Sequence, residues 1–295
     1  DEAVGSYQQA IAVKPDYIEA YSNLGNTLLE LEREEEAATR CRQAIALKPY
    51  HAGAHFNLGK VLYVLGDIDS SIQSHETASK IDPSKRESQL FLDLLKSERT
   101  RKKTRQRTGV IKNSYTEFDL NSNPYIQHRE VEPELISTLY DINSSPLDEA
   151  PGPRYGNGRC SPDYNLFGDD RLIIRTIKND LTSIMRIAVR SEVHIYDSFF
   201  NIFGAGGGIT PHTHLTSIDS DKRFDFERQK YSLVYYLSAG DQDCSDPGIL
   251  RLYDPREDIL PYNGMILIFP ASRRHSAVYG GKTDRVLVGA NFYRL

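Results

Sequence analysis

The residues of this chain that could do chemistry are three histidines in the C-terminal half. His212 and His214 are one residue apart, and His275 follows much later in the sequence. Alternate residues of a β-strand point to the same side, so the first two imidazoles can face one cavity together. A third imidazole from a distant strand would complete a facial set of metal ligands and leave the opposite positions open. This pattern predicts a mononuclear metal site.

The elements that must position these histidines are short apolar segments separated by turn signals. From about Val110 onward Tyr, Phe, Val and Ile become common, which is typical of strands. The sequence predicts strands near residues 194–203, 209–214, 231–237, 249–253, 265–269, 276–279 and 285–293, and helices at 132–142 and 170–189. Many evenly spaced strands with helices at one side indicate a double-stranded β-helix, or jelly roll, with flanking helices.

The N-terminal part repeats with a period of 34 residues. The period relates Pro15 to Pro49 and Pro83, Ala10 to Ala44 and Ala78, and Asn23-Leu24-Gly25 to Asn57-Leu58-Gly59. The pattern resembles the tetratricopeptide repeat, a helix-turn-helix unit of this period. Small residues such as Ala37 and Ala44 let paired helices approach closely, and each proline ends a helix because it cannot continue one. An α-solenoid of this type offers a concave surface for a protein or peptide.

Three regions follow from these patterns. Residues 1–98 are predicted to form tetratricopeptide repeats, closed by a capping helix over Ser84–Lys96. Residues 99–125 are a basic linker, and residues 126–295 form the jelly-roll domain. The segment 99–112 carries seven basic residues and no acid. Because no aromatic residues are interleaved with these charges, we interpret the segment as a solvated helix end and do not expect nucleic acid as a partner.

Composition limits the compartment and the class of protein. The chain has 295 residues, 39% apolar and 26% charged, with a net charge of −5, which is suited to packed domains. The three cysteines are too few and too scattered for a disulfide framework, so we expect a reducing, cytoplasmic compartment. No apolar run approaches the length of a membrane span, and no membrane association is expected.

The motifs around the histidines resemble a known family. Pro211-His212-Thr213-His214 precedes Ser232–Leu237, then Pro247–Tyr253, Met265–Phe269, Arg273-Arg274-His275 and Asp284-Arg285-Val286. In order and spacing these segments resemble the Fe(II)- and 2-oxoglutarate-dependent oxygenases of the prolyl 4-hydroxylase type. The resemblance covers roughly residues 190–295. It implies Fe(II), 2-oxoglutarate and O2 as cofactor and co-substrates, with ascorbate as a candidate auxiliary reductant.

The resemblance also assigns roles to single residues. His212 matches the first iron ligand and His275 the distal histidine. Arg285 matches the basic residue that binds the far carboxylate of 2-oxoglutarate, a task for which the guanidinium fork is suited. Tyr236 matches a tyrosine that donates a hydrogen bond to the same carboxylate, so Tyr235 is expected to point away from the cavity.

The chain departs from the family at His214, where the family usually has Asp or Glu. Three interpretations remain open at this position: His214 itself binds, Asp219 or Asp221 binds instead, or water fills the position. We favour His214, because the residue two after His212 lies on the correct side of the strand. The segment 216–229 that follows is long and charged and is predicted to be a mobile lid.

The sequence therefore predicts an Fe(II)- and 2-oxoglutarate-dependent hydroxylase of a protein or peptide side chain, with the repeats as a partner-binding module. Two alternatives belong to other classes: a non-catalytic interaction protein with a degenerate jelly roll, and a small-molecule hydroxylase. An iron dioxygenase that uses three histidines without 2-oxoglutarate is a further alternative, but it would not need Arg285 as a carboxylate anchor. The attached repeats are the feature that suggests a protein or peptide substrate.

Overall fold

The computed structural model of the chain describes residues 2–108, 120, 123–150 and 152–295. The chain divides into two compact units, residues 1–113 and 114–295. About half of the predicted linker, residues 109–119 and 121–122, lies outside the described residues, and this includes the end of the basic segment 99–112. No helix within the described ranges is long and apolar enough to cross a bilayer.

The first unit is helical. Its helices are α1 (Glu2–Val13), α2 (Ile18–Glu30), α3 (Glu34–Leu47), α4 (Ala52–Val64), α5 (Ile68–Ile81) and α6 (Arg86–Thr108). The helices pair as expected for a tetratricopeptide-like region, and Pro15, Pro49 and Pro83 lie in the turns between pairs. The capping helix, however, is longer than the predicted 84–96. It continues through Thr108, so the first part of the predicted linker is helix.

Paired helices touch at equivalent positions of successive repeats. A Cβ atom added at Gly25 would lie 2.5 Å from Cys41 Sγ, and one added at Gly59 would lie 2.6 Å from His75 Nε2. Gly59 and His75 are the repeat equivalents of Gly25 and Cys41, 34 residues later. Glycine is therefore needed where α2 meets α3 and where α4 meets α5, because any side chain there would push the helices apart. Ala37 is also fully buried, as the close packing requires.

His75 is buried in the core of the helical unit. Its ring stacks on Phe91 at 4.8 Å between centroids and meets Phe56 edge-on at 5.4 Å. Neither ring nitrogen has a hydrogen-bond partner in the described part of the chain. Burial lowers the pKa of His75 to about 3, and the positive charges of Lys60 and Lys85 lower it further. His75 is therefore neutral in the folded protein at neutral pH.

This histidine makes the helical unit sensitive to acid. The folded pKa of about 3 lies below the unfolded value of about 6.5, so unfolded chains bind a proton that folded chains refuse. The stabilising contribution is complete above about pH 6.5 and is lost as the pH falls toward 3, at up to about 1.4 kcal/mol per pH unit. When the pH is lowered from about 7 to about 5, we expect the unfolding temperature of the full chain to fall less in the His75→Leu variant than in the wild type. Helical circular dichroism is the measurement.

His55→Leu is the matched control, because His55 is only partly buried on α4. Its unfolding temperature should follow the wild-type pH dependence. Equal slopes for the His75→Leu variant and the wild type would show that His75 is not the group that resists protonation.

The second unit is rich in β-sheet. Its strands are β1 (Tyr125–His128), β2 (Ser145–Pro146), β3 (Arg154–Tyr155), β4 (Gly158–Cys160), β5 (Val193–Phe203), β6 (Gly207–His212), β7 (Lys230–Ser238), β8 (Pro247–Leu252), β9 (Glu257–Ile259), β10 (Met265–Pro270), β11 (His275–Tyr279) and β12 (Arg285–Arg294). Helices α7 (Pro133–Asp141) and α8 (Leu172–Val189) precede β5.

These strands form two open antiparallel sheets. The seven-stranded sheet has the order β1-β10-β7-β12-β5-β4-β2, and the five-stranded sheet has the order β3-β6-β11-β8-β9. All the predicted strands and both predicted helices are present, with bounds shifted by a few residues. The short strands β1, β2, β3, β4 and β9 were not predicted, because two to four residues are too few for a periodic signal.

The seven-stranded sheet buries a different set of residues on each face. On one face Phe200, Ile202 and Val288 pack against α7 and α8 in the largest apolar cluster. On the other face Phe203 and Leu287 pack against residues of the five-stranded sheet. This alternation follows the two-residue period of a strand. The face between the two sheets is the one that carries the candidate site.

Candidate metal centre

Strand pairing brings His212 and His275 together. His212 is the last residue of β6 and His275 the first of β11, and the two are directly opposite each other in the antiparallel pair. His214 lies two residues beyond the end of β6, although the sequence predicted that the strand would continue to it. The backbone N–H of His214 donates to the carbonyl of Ala271 at 2.9 Å. This bond holds His214 next to the end of β10, within reach of the other two rings.

The three imidazoles form one cluster. Their candidate ligand atoms all lie within 4.8 Å of one another. The ring centroids are 4.3 Å apart for His212 and His275, 4.8 Å for His212 and His214, and 4.9 Å for His214 and His275. Three imidazoles that share one first-row ion at about 2.1 Å, at right angles, have centroids roughly 4.5 Å apart. The spacing of the rings therefore fits a single metal ion.

Backbone carbonyls fix the orientation of two of the rings. Nδ1 of His212 bonds the carbonyl oxygen of Thr210 at 2.9 Å, and Nδ1 of His275 bonds that of Arg273 at 3.2 Å. A carbonyl can only accept, so each Nδ1 carries the proton and each Nε2 keeps its lone pair. This second hydrogen bond is the usual way in which a protein orients a metal-binding histidine. His212 and His275 are thus set to bind through Nε2.

His214 is oriented differently. The amide nitrogen of Asn291 lies 3.4 Å from its Nδ1. Asp197, which can only accept, receives a hydrogen bond from the same amide nitrogen at 2.8 Å, and Ser232 donates to the amide oxygen at 2.7 Å. In this arrangement Nδ1 of His214 is an acceptor. A metal ion at Nε2 of a neutral His214 would require the other tautomer, with the proton on Nδ1, which His212 and His275 already have.

Burial keeps all three imidazoles neutral. It lowers the pKa of His275 to about 3, lowers that of His212, and holds that of His214 well below its ordinary value. Neighbouring cations, Lys230 and Arg154, lower the pKa of His214 further, and no carboxylate opposes them. Only a neutral imidazole can bind a metal, so the surroundings maintain the ligands in their binding form.

The two aspartates that the sequence offered as alternative third ligands are used elsewhere. Asp219 is buried, and its carboxylate accepts hydrogen bonds from Lys230 at 2.8 Å, from Tyr293 at 2.6 Å and from Thr216 at 2.6 and 2.7 Å. Asp221 pairs with Arg223 at 2.6 Å. Neither belongs to the histidine cluster. The structure therefore brings His214, and not these carboxylates, to the other two histidines.

The segment 216–229 is also different from the predicted mobile lid. It carries the buried Asp219, and its Phe224 and Phe226 are 4% exposed. The Phe226 ring lies edge-on to the buried Tyr293 at 6.1 Å. Burial of two aromatic rings and an ion pair anchors the segment to the β-sheet unit.

Arg285 is a buried cation without an acidic partner. It is 1% exposed, and its guanidinium donates to the carbonyls of Ala239, Pro247 and Gly248. Gly248, with φ +71°, is needed there because a Cβ would overlap the guanidinium. No carboxylate pairs with Arg285 among the residues that the structure describes. Three of its five N–H groups are used, so one remains on each terminal nitrogen for an anion.

Tyr236 lies beside this cation on the face between the sheets. Its ring centroid is 5.7 Å from Arg285 Cζ, and its ring belongs to the apolar cluster between the sheets. Burial raises the pKa of Tyr236 to about 12, so the hydroxyl is a donor at neutral pH. Tyr235, as expected, belongs to the opposite face. Its hydroxyl donates to the carbonyl of Glu130 at 3.0 Å and accepts from Arg129 at 3.1 Å.

Several residues of the site were missed in the sequence. Arg154, Phe199 and Asn291 lie next to the cluster, and Asp197 orients Asn291. The signal for Phe199 was the alternation along β5, in which Asp197, Phe199 and Phe203 share one face. Arg154 had no comparable signal, because the strand that carries it has two residues.

Comparisons with known proteins bear on the helical unit. Residues 1–32 match the family model described as TPR repeat, and residues 23–85 match the one described as tetratricopeptide repeat. The predicted repeats at the N-terminus are therefore confirmed. No curated protein matches the chain.

Several solved structures resemble about a third of the chain. The first TPR of Spaghetti (RPAP3) bound to an HSP90 peptide is 19% identical, with a TM-score of 0.33, over 34% of this chain and 79% of that one. An O-GlcNAc transferase of Thermobaculum terrenum is 30% identical, with a TM-score of 0.31, over 31% of this chain and 18% of that one. MamA is 24% identical, with a TM-score of 0.32, over 33% of this chain and 57% of that one. The match spans less than two thirds of the transferase and MamA chains.

Removal of one cluster histidine should abolish tight metal binding. We expect His275→Ala to weaken Co(II) or Mn(II) binding by more than about 100-fold, since loss of a mere supporting contact already costs 10–100-fold. Isothermal titration of the intact chain measures this affinity. His194→Ala is the control, because His194 lies on β5 outside the cluster, and it should bind as the wild type does. Equal affinity of both variants would show that the cluster does not hold the ion.

Removal of the buried carboxylate should affect stability rather than the metal. Asp219→Asn leaves Lys230 buried and unpaired, which costs about 3–5 kcal/mol of unfolding free energy. The folded fraction should still bind the ion, because Asp219 is not a ligand in this arrangement. Urea unfolding and metal titration of the same sample separate the two effects. Asp221→Asn, in the more exposed pair, should cost about 1 kcal/mol or less. A stable Asp219→Asn protein that fails to bind metal would restore Asp219 as the third ligand.

Proposed function

We propose that the chain is an Fe(II)- and 2-oxoglutarate-dependent dioxygenase that hydroxylates a protein or peptide side chain. The observation that carries the proposal is the set of polar side chains on the face between the two sheets. It contains three neutral histidines spaced for one metal ion. It also contains Arg285, beside Tyr279 at the other end of β11, a buried arginine with no acidic partner among the described residues. A metal site and an anion site on one inner face are what an iron centre and a dicarboxylate co-substrate require.

The order of strands supports a double-stranded β-helix. From β5 to β8 each consecutive strand changes sheet, and the same alternation runs from β9 through β12. The inner four strands of the seven-stranded sheet, β10-β7-β12-β5, face β6-β11-β8-β9 of the other. This strand order is the one expected for a jelly roll, in which two sheets face each other, and it supports that proposal.

In this proposal His212, His214 and His275 hold the Fe(II). When bound, Fe(II) with 2-oxoglutarate supplies the oxygen-dependent chemistry that hydroxylates an unactivated C–H bond. The chain itself holds the ion, orients the co-substrate and excludes water. Phe269, whose ring lies edge-on to His275 at 4.9 Å, and Phe199, at 6.2 Å from His214, are the apolar groups that shield the ligands.

Arg285 and Tyr236 are the proposed seat of the far carboxylate of 2-oxoglutarate. A fully buried guanidinium is costly without a negative charge, and burial lowers the pKa of Arg285 for that reason. A bound carboxylate would take the remaining N–H of each terminal nitrogen as a two-point contact. The neutral Tyr236 hydroxyl would donate the third hydrogen bond.

The repeats are the proposed partner-binding module. Tetratricopeptide repeats typically bind proteins or peptides, which suggests a polypeptide substrate or a polypeptide partner. A linked binding module raises the effective concentration of a target near the active site.

An anaerobic titration tests the central proposal. Fe(II) and then 2-oxoglutarate are added to the intact chain, and the metal-to-ligand charge-transfer band is recorded. We expect the band to appear only when both are present and to be absent in the His275→Ala variant. Tight Fe(II) binding with no band at saturating 2-oxoglutarate would favour an iron enzyme that does not use this co-substrate.

Adjacent tyrosines provide a matched test of the carboxylate seat. Tyr236→Phe removes only a hydroxyl, so we expect 2-oxoglutarate affinity to fall about 10- to 150-fold while Fe(II) affinity persists, as for the loss of one hydrogen bond to a charged group. Tyr235→Phe removes the neighbouring hydroxyl, which faces the opposite side. That variant should lose about 1 kcal/mol of stability and no 2-oxoglutarate affinity. Similar affinities for both variants would remove Tyr236 from the seat.

A further inference from the structure

A second cation reaches the inner face of the site from β3. Arg154 is opposite Ile209 in the β3–β6 pair, and Ile209 packs into the cluster between the two sheets. Cross-strand partners project to the same face. The Arg154 guanidinium accordingly lies 5.3 Å from the ring of Phe199, a residue of the opposite sheet.

Aromatic rings hold this guanidinium in a fixed position. Its Nη1 donates to the Tyr164 hydroxyl at 3.0 Å, and its Cζ lies 5.1 Å from the Tyr164 ring centroid. Phe199 and Tyr164 contact each other edge-on at 5.6 Å. A guanidinium stacked on rings keeps its charge and its remaining N–H groups available while its rotational freedom is reduced.

No carboxylate neutralises Arg154 among the described residues. Four of its five N–H groups remain for another ligand. The Phe199 ring against which it packs is 6.2 Å from His214. Arg154 is thus an unpaired cation within one aromatic ring of the candidate metal centre.

The cavity therefore has two cations at different levels. Arg285 is opposite Phe203 on β5, and Arg154 stacks on Phe199. Phe203 is four positions after Phe199, which corresponds to about 13 Å along a strand. A dicarboxylate that binds both the metal and Arg285 would neutralise Arg285. Arg154 would then remain available to bind a different molecule.

From this geometry we infer that Arg154 binds a carboxylate of the primary substrate and so selects an acidic substrate. The inference rests on the proposed function, since it assigns the remaining anion seat of the same centre. In a polypeptide the group would be an Asp or Glu side chain or a C-terminal carboxylate. The planar fork of Arg154 can bind either oxygen pair through two hydrogen bonds.

The test uses two small probes that differ only in charge. The intact chain is loaded with Mn(II) and saturated with 2-oxoglutarate, and N-acetyl-aspartate methylamide or N-acetyl-asparagine methylamide is titrated in. Paramagnetic relaxation of the probe protons reports both affinity and closeness to the ion, without any need for turnover. We expect the aspartate probe to bind at least about tenfold more tightly than the asparagine probe, as a charge-assisted pair would give.

Variants assign this preference to a residue. Arg154→Gln should abolish the preference and leave the affinities for Mn(II) and 2-oxoglutarate unchanged, and Arg154→Lys should restore part of it. Arg274→Gln is the matched control, because Arg274 is next to His275 but is exposed and stacks on Tyr253 at 5.5 Å. It should retain the full preference.

Two results would overturn the inference while the proposed function stands. One is an aspartate preference that survives in Arg154→Gln. The other is a loss of 2-oxoglutarate affinity in that variant, which would assign Arg154 to the co-substrate. Failure of the wild type to bind Mn(II) and 2-oxoglutarate at all would instead overturn the proposed function, and the inference with it.

Discussion

The register of β6 against β11 is the constraint on which the site depends. His212 is directly opposite His275 because the two antiparallel strands pair in one particular register. A slip of one residue would turn one histidine to the outer face. A β-bulge separates this pair from the Ala277–Ile209 pair of the same strands. Because of this extra residue on β6, Ile209, which packs into the cluster between the sheets, and His212 can face the same side although they are three residues apart.

The polar groups around this core follow a consistent electrostatic pattern. The buried carboxylate Asp219 is matched by Lys230, whose side chain is 1% exposed. Arg285 and Arg154, by contrast, have no acidic partner in the described structure. A protein gains nothing from an isolated buried charge, since desolvation costs several kcal/mol unless a partner is supplied. Arg285 and Arg154 are therefore the residues to which we assign ligands, whereas the Asp219–Lys230 pair stabilises the fold.

Much of this architecture could be predicted from the sequence, and the features that could not be predicted have physical explanations. The 34-residue period identified the repeats, and the period-two runs placed the strands that carry His212, His275 and Arg285. The end of β6 was misplaced by two residues because strand propensity does not show where pairing stops. The sequence predicted a mobile lid at residues 216–229 and did not indicate that this segment is anchored. Its anchoring residues, Phe224 and Phe226, belong to no periodic pattern. Arg154 was missed because its strand is too short to leave a signal, and only tertiary packing brings it to Phe199.

In the proposed function His214 would take the place of a carboxylate ligand, with an electrostatic consequence for the whole site. Three neutral imidazoles would leave the full charge of a divalent ion uncompensated, whereas an Asp or Glu at this position would neutralise one unit. The surroundings add to the positive potential, because the charges of Lys230 and Arg154 both lower the pKa of His214. A cavity of this kind favours ligands that bring more than one negative charge. A dicarboxylate at Arg285 and an acidic group at Arg154 would together supply the charge that the missing carboxylate ligand does not.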